Sequence, residues 1–81
     1  MFYVYVLRSI EFNRQYIGMS SDVDRRLAEH NKGKSKSTKP YKPWSLIFFE
    51  SFETSLEARE REKWLKSGVG RKYIDNNWPR V

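Results

Sequence analysis

The chain has 81 residues and a net charge of +6, from sixteen Lys and Arg against ten Asp and Glu, so it can build one modest hydrophobic core and not two. No cysteine and a single histidine exclude disulfide staples, zinc fingers and thiol catalysis, and fit a reducing compartment, with the cytoplasm as default. The longest apolar runs, residues 2–7 and 46–49, are strand-length and follow no charged-then-apolar leader. The expectation is one domain over residues 1–81, neither secreted nor embedded in a membrane.

So dense a positive charge, interleaved with thirteen aromatic residues, suits a polyanion: lysines and arginines for phosphates, rings for bases. A soluble domain with a solvated basic face has the same composition.

Residues 2–7, Phe-Tyr-Val-Tyr-Val-Leu, are apolar almost throughout, as an inner strand covered on both faces would be. Alternation sends Phe2, Val4 and Val6 to one face and Tyr3, Tyr5 and Leu7 to the other. If residues 8–13 close an antiparallel hairpin, Tyr16 on a second strand joins the phenol face. Those tyrosines serve equally as amphipathic core residues with their hydroxyls at the rim. Gly18 should end that strand, either as a turn or as a point of close approach.

Ser21 reads as an N-cap, with Asp22 and Asp24 in the first turn, where the helix dipole favours negative charge. The helix should run to about Lys32 and stop at Gly33. Val23 and Leu27 form its apolar stripe, Arg26 and His30 border the buried face, and Arg25 and Glu29 point to water. His30 suits a structural role at least as well as a catalytic one. The segment from Lys32 to Trp44 has no period and reads as a mobile basic loop. Its five lysines, Lys32, Lys34, Lys36, Lys39 and Lys42, either settle along a phosphate backbone or stay solvated in a linker.

A third strand follows at residues 46–49, ending over 50–52. Thr54 and Glu57 then match a capping box that opens a helix running to about Ser67 and closing at Gly68. Ala58 and Leu65 share its apolar stripe, and Glu62 lies between them. A carboxylate there must be paired, hydrogen-bonded or metal-bound, and a salt bridge to Arg26 is as good a reading as a metal site. A last short helix is expected over residues 70–77, with Trp78 packing back.

Tyr3-Val4-Tyr5, Tyr16-Ile17-Gly18, Arg26 and His30 on one helix, and Arg61-Glu62-Lys63 on a later one together resemble the GIY-YIG nuclease superfamily. The resemblance covers essentially the whole chain and is nearest to small stand-alone bacterial proteins related to the nuclease domain of the UvrC excinuclease. It implies an α+β fold, a three-stranded antiparallel sheet sandwiched by helices in the order β-β-α-β-α-α. It implies catalytic roles for Tyr5, Tyr16, Arg26, His30 and Glu62: Arg26 on the scissile phosphate, Tyr5 with Tyr16 or His30 handling the water, and Glu62 as ligand to one Mg2+ or Mn2+. Gly18 becomes the close-approach glycine. To act as base, Tyr5 would need its pKa lowered from about 10 by Arg26 or the metal.

Two features depart from the pattern: Tyr3 stands where the family name has glycine, and neither Asn76 nor Asn77 is singled out as the asparagine some members carry near the C-terminal end. The implied activity is metal-dependent endonucleolytic cleavage of DNA, in repair or recombination, with RNA left open as a substrate. Preference would then come from the basic loop and sheet rim or from a protein partner. The alternatives are a non-catalytic nucleic-acid-binding module and, more remotely, a protein-interaction domain.

Overall fold

The computed structural model describes residues 1–80. The central strand β1 (Phe2–Ser9) pairs antiparallel with β2 (Gln15–Ser20) on one side and β3 (Trp44–Phe52) on the other, giving the strand order β2-β1-β3. Tyr5 stands opposite Gly18 on β2 and Phe49 on β3; the β1–β3 register slips between Val6 and Leu7. The apolar run at 2–7 is thus an inner strand, as its lack of a polar face requires.

Alternation along β1 divides the interior into two layers. Val4 and Val6, with Ile17, pack under Ala58, Leu65 and Ile74 of α2 (Ser55–Lys66) and α3 (Gly68–Asn77). Tyr5, Leu7 and Trp44 pack on the opposite face, under Val23 and Leu27 of α1 (Val23–Asn31). Trp78 closes the first layer by stacking on Phe48 at 3.9 Å. No helix among the described residues is long and apolar enough to cross a membrane.

Several local expectations are corrected. Asp22 caps α1, its Oδ1 accepting from the Arg25 amide at 3.0 Å, while Ser21 lies outside the cap. Asp22 is preferred because its carboxylate meets both the orphan amides and the helix dipole. Gly33, at φ +78°, ends the turn as expected. β2 continues through Gly18 to Ser20, so Gly18 is a strand residue and not a turn. Helix α3 starts at Gly68, two residues early, because the Ser67 hydroxyl caps it by accepting from the Gly70 amide at 3.3 Å.

The basic segment is also tied down, contrary to its reading as a mobile loop. A short 3-10 turn, Lys39–Tyr41, interrupts it. Asn31 brackets its far end, donating to the Trp44 carbonyl at 3.0 Å and accepting from the Trp44 amide, and the Trp44 indole donates to the Thr38 carbonyl at 2.9 Å. The hydroxyl of Ser9 on β1 donates to the Tyr41 carbonyl at 2.6 Å.

Candidate active site

The phenol face of the sheet and α1 enclose a buried polar chain. The Tyr5 hydroxyl lies 3.1 Å from His30 Nε2, and His30 Nδ1 lies 2.8 Å from Thr38 Oγ1. Tyr5, His30 and Thr38 are all within about 1% of full burial. The direction of the chain follows from its far end. The Thr38 hydroxyl donates to the Ser35 carbonyl at 3.4 Å, which leaves its oxygen free to accept from His30 Nδ1–H. Nε2 is then the bare nitrogen, and Tyr5 donates to it.

Arg26 sits beside this chain, its Nη1 donating to Glu29 Oε1 at 2.6 Å and its charge acting on the Tyr5 hydroxyl. Glu29 is therefore half-buried and paired, where the helical wheel had put it in water. One turn of α1 explains the error: the i,i+3 spacing sets both side chains on the same flank. Tyr16 completes the cluster, its ring 4.8 Å from that of His30 and 6.2 Å from that of Tyr5.

Gly18 makes this packing possible. A Cβ at that position would stand 2.6 Å from the Tyr5 hydroxyl and 2.8 Å from the Tyr16 ring, so only glycine admits the two phenols side by side. The close-approach reading of Gly18 holds and the turn reading fails.

The charges follow from burial. Removal from water raises the Tyr5 pKa, and Arg26, which lowers it, offsets this only in part. Tyr5 is thus a phenol at neutral pH, the reverse of the lowered pKa a free-standing base would require. Burial, then the Arg26 charge, lowers the His30 pKa, so His30 is a neutral imidazole able to receive a proton. The hydrogen bond from Arg26 holds Glu29 ionised.

Glu62 is placed apart from this chain. It lies on α2, across the sheet from Tyr5, and its Oε2 accepts from Lys66 at 3.2 Å. The alternative of a salt bridge to Arg26 is overturned: Arg26 is taken by Glu29. With its side chain 22% exposed, Glu62 is half-buried next to the Ala58–Leu65 stripe. The two halves approach each other at the free edge of β2, where Tyr16 and Lys66 line one groove of about 470 Å³.

No three His, Asp or Glu side chains converge among the described residues, so an all-protein metal cage of the zinc or calcium type has no ligands. A single half-buried carboxylate does suit a magnesium-type ion, which keeps several waters and takes one or two carboxylates plus substrate phosphate oxygens.

Sequence reasoning missed Thr38, and it missed the groove. Arg14, Lys66, Arg71 and Arg80 line the groove with Tyr16, against one carboxylate, Asp75. They come from the hairpin loop, α2, α3 and the C-terminal segment, and no linear charge run announces them. The five loop lysines are all exposed. Asn77 donates to its own helix at the Tyr73 carbonyl, and among the described residues neither Asn77 nor Asn76 bonds to the Tyr5 cluster.

Comparison with known proteins gives a consistent picture. The family model described as the GIY-YIG catalytic domain matches residues 1–74. A UPF0213 protein of Listeria welshimeri is 43% identical over 75 residues, covering 91% of this chain and 81% of the relative. Another UPF0213 protein, from Haloquadratum walsbyi, is 39% identical over 66 residues, covering 80% and 73% respectively. The solution NMR structure of a UPF0213 protein from Bacillus halodurans superposes with a TM-score of 0.56 at 30% identity, over 98% of this chain and 87% of that one.

Proposed function

Because the chain belongs to the GIY-YIG family, we propose that it is a metal-dependent endonuclease that hydrolyses DNA phosphodiester bonds in repair or recombination. The observation that carries the reading is the buried Tyr5–His30–Thr38 chain with Arg26 alongside Tyr5. A buried structural tyrosine needs one hydrogen-bond partner; a neutral imidazole behind it and a guanidinium beside it are what proton transfer next to a phosphate needs.

Arg26 grips the scissile phosphate with the nitrogens that Glu29 leaves free, and Glu29 fixes its orientation. A water forms a new P–O bond as the bond from phosphorus to the leaving sugar oxygen breaks. The water's proton passes to the Tyr5 oxygen while Tyr5 passes its own to His30 Nε2, and the departing oxygen takes a proton from solvent. Thr38 holds the Nδ1–H tautomer that keeps Nε2 bare. Glu29, which favours the protonated imidazole, offsets part of the repulsion from Arg26. Tyr5 so relays a proton without becoming a free phenolate. Tyr16 lines the other wall. Glu62 would hold the divalent ion, Mg2+ or Mn2+, on release from Lys66; such an ion supplies charge neutralisation for the phosphate and the departing oxygen. The strand's phosphates run along the β2 groove through Arg14, Arg71 and Arg80 and past the exposed loop lysines.

The test is cleavage of labelled single-stranded, duplex, flapped and branched DNA with Mg2+ or Mn2+, with wild type beside Glu62→Ala and His30→Gln. Cleavage by wild type alone, with all three folded, supports the reading. Salt-sensitive binding without cleavage, indifferent to Glu62 and metal, would replace it with the binding-module alternative.

A further inference from the structure

One aromatic pair belongs to neither interior layer. Tyr3 and Phe49 meet edge to face, with ring centroids 5.8 Å apart at 74°, and join neither core cluster. Phe49 is 52% exposed although it stands in the middle of β3, where the alternation of an apolar strand would bury it. It is the cross-strand neighbour of Tyr5 and shares its face of the sheet. Only the first turn of α1, at Val23 and Asp24, reaches the pair, which leaves Phe49 uncovered. Together with Ser21, Asp22, Val23 and Asp24 the two rings line a recess of about 270 Å³.

We infer that this recess receives one unpaired nucleobase of the substrate, stacked on Phe49 and Tyr3, belonging to a nucleotide next to the scissile phosphate. The inference rests on the nuclease reading and adds its substrate class: a strand that is single or locally opened at the cut.

Three features choose this occupant. The wall of the recess carries two aspartates and no lysine or arginine in a domain of net charge +6, so it repels a phosphate where the rest of the surface attracts one. Carboxylates accept from the amino and imino groups of base edges, and the Asp22 Oδ1 already committed to the Arg25 amide leaves Asp24 free for this. The location fits as well. The Tyr5 hydroxyl leans over Gly18 on β2, with Phe49 on β3 beyond the central strand. At about 4.8 Å per strand the two are about 10 Å apart, a span that a nucleotide adjoining the bound phosphate bridges. A base inside a duplex offers no ring face, so only an unpaired one can enter.

The experiment is a binding titration in chelator, which removes cleavage from the readout, of a labelled single-stranded oligonucleotide and the matching duplex. Wild type is compared with Phe49→Ala and Phe49→Trp, all checked for folding by circular dichroism. Phe49→Ala should weaken single-strand binding by about tenfold or more, leave duplex binding nearly unchanged, and keep the salt dependence of wild type, since a stacked base and no phosphate contact is lost. Phe49→Trp should retain wild-type affinity. An abasic site walked along the strand should weaken wild type at one position and leave Phe49→Ala indifferent there. Single-strand affinity of Phe49→Ala within twofold of wild type, as expected if the pair docks a protein, overturns the inference and leaves the nuclease reading standing. Equal weakening toward single strand and duplex also overturns it. No binding of wild type to any nucleic acid overturns both.

Discussion

The Tyr5 hydroxyl and His30 Nε2 lie 3.1 Å apart, joining the central strand to the first helix through a bond buried from solvent. Each group has its pKa moved by burial in the direction that keeps it neutral, Tyr5 upward and His30 downward. Tyr5, Tyr16, Arg26 and Glu29 are the titratable neighbours of the imidazole, and of these Arg26 opposes its charging while Glu29 favours it.

His30→Gln should lower the cleavage rate by about 10²–10⁴-fold, the usual contribution of a general base. Thr38→Val should reduce the rate less and shift its acid limb, because Nδ1–H then has no acceptor and the tautomer is no longer fixed. Single-turnover rates across pH 5–8 separate the two.

The depressed His30 pKa also makes stability depend on pH. An unfolded histidine takes up a proton as pH falls through about 6.5, whereas the folded one resists until lower pH. Stability from this group is fully present above pH 6.5 and is lost as pH falls below it. Urea midpoints should therefore drop between pH 7 and pH 5 for wild type and drop less for His30→Gln.

Glu62→Ala should abolish cleavage and barely move the melting temperature. Its visible partner is an exposed Lys66 one turn on, a pair worth about 0.3–0.5 kcal/mol. A buried bridge to Arg26 would have cost several times more, so a large loss of stability in this variant would mean that the carboxylate has a structural partner. Titration of Mn2+ should show weaker binding to the variant than to wild type.

Gly18→Ala should cost about 1–3 kcal/mol, the range for forcing a methyl into a filled interior, and should break the Tyr5–His30 bond by displacing the Tyr5 ring. Chemical denaturation measures the first effect, and loss of cleavage under conditions where the variant is still folded measures the second.

The groove at the β2 edge should carry more of the salt dependence of binding than the basic loop. Arg14→Ala and Arg71→Ala are each expected to lower the slope of log affinity against log salt by about 0.7–0.9, whereas Lys34→Ala and Lys36→Ala lower it less. The opposite ranking would return the phosphate track to the loop.

The sequence by itself determined the element order, the central place of the first strand and the split of its side chains, because a period of two on an apolar run leaves no other arrangement. The faces of Tyr5, Tyr16, Arg26 and His30 were legible from strand and helix periods, while their grouping with Gly18 into one candidate site came from the resemblance of the motifs. What only the tertiary structure decided were relations between residues far apart in the chain. Thr38 gave no signal, since a threonine in a lysine-rich loop looks solvated until Trp44 and Asn31 fold that loop onto the histidine. Glu29 was assigned to water because a wheel orders side chains around an axis and says nothing of a long arginine bending to meet one. The pKa shifts, the separation of Glu62 from Arg26, the basic groove and the uncovered Tyr3–Phe49 pair likewise depend on desolvation and on which surfaces meet. These are properties of the packed chain, and no local pattern records them.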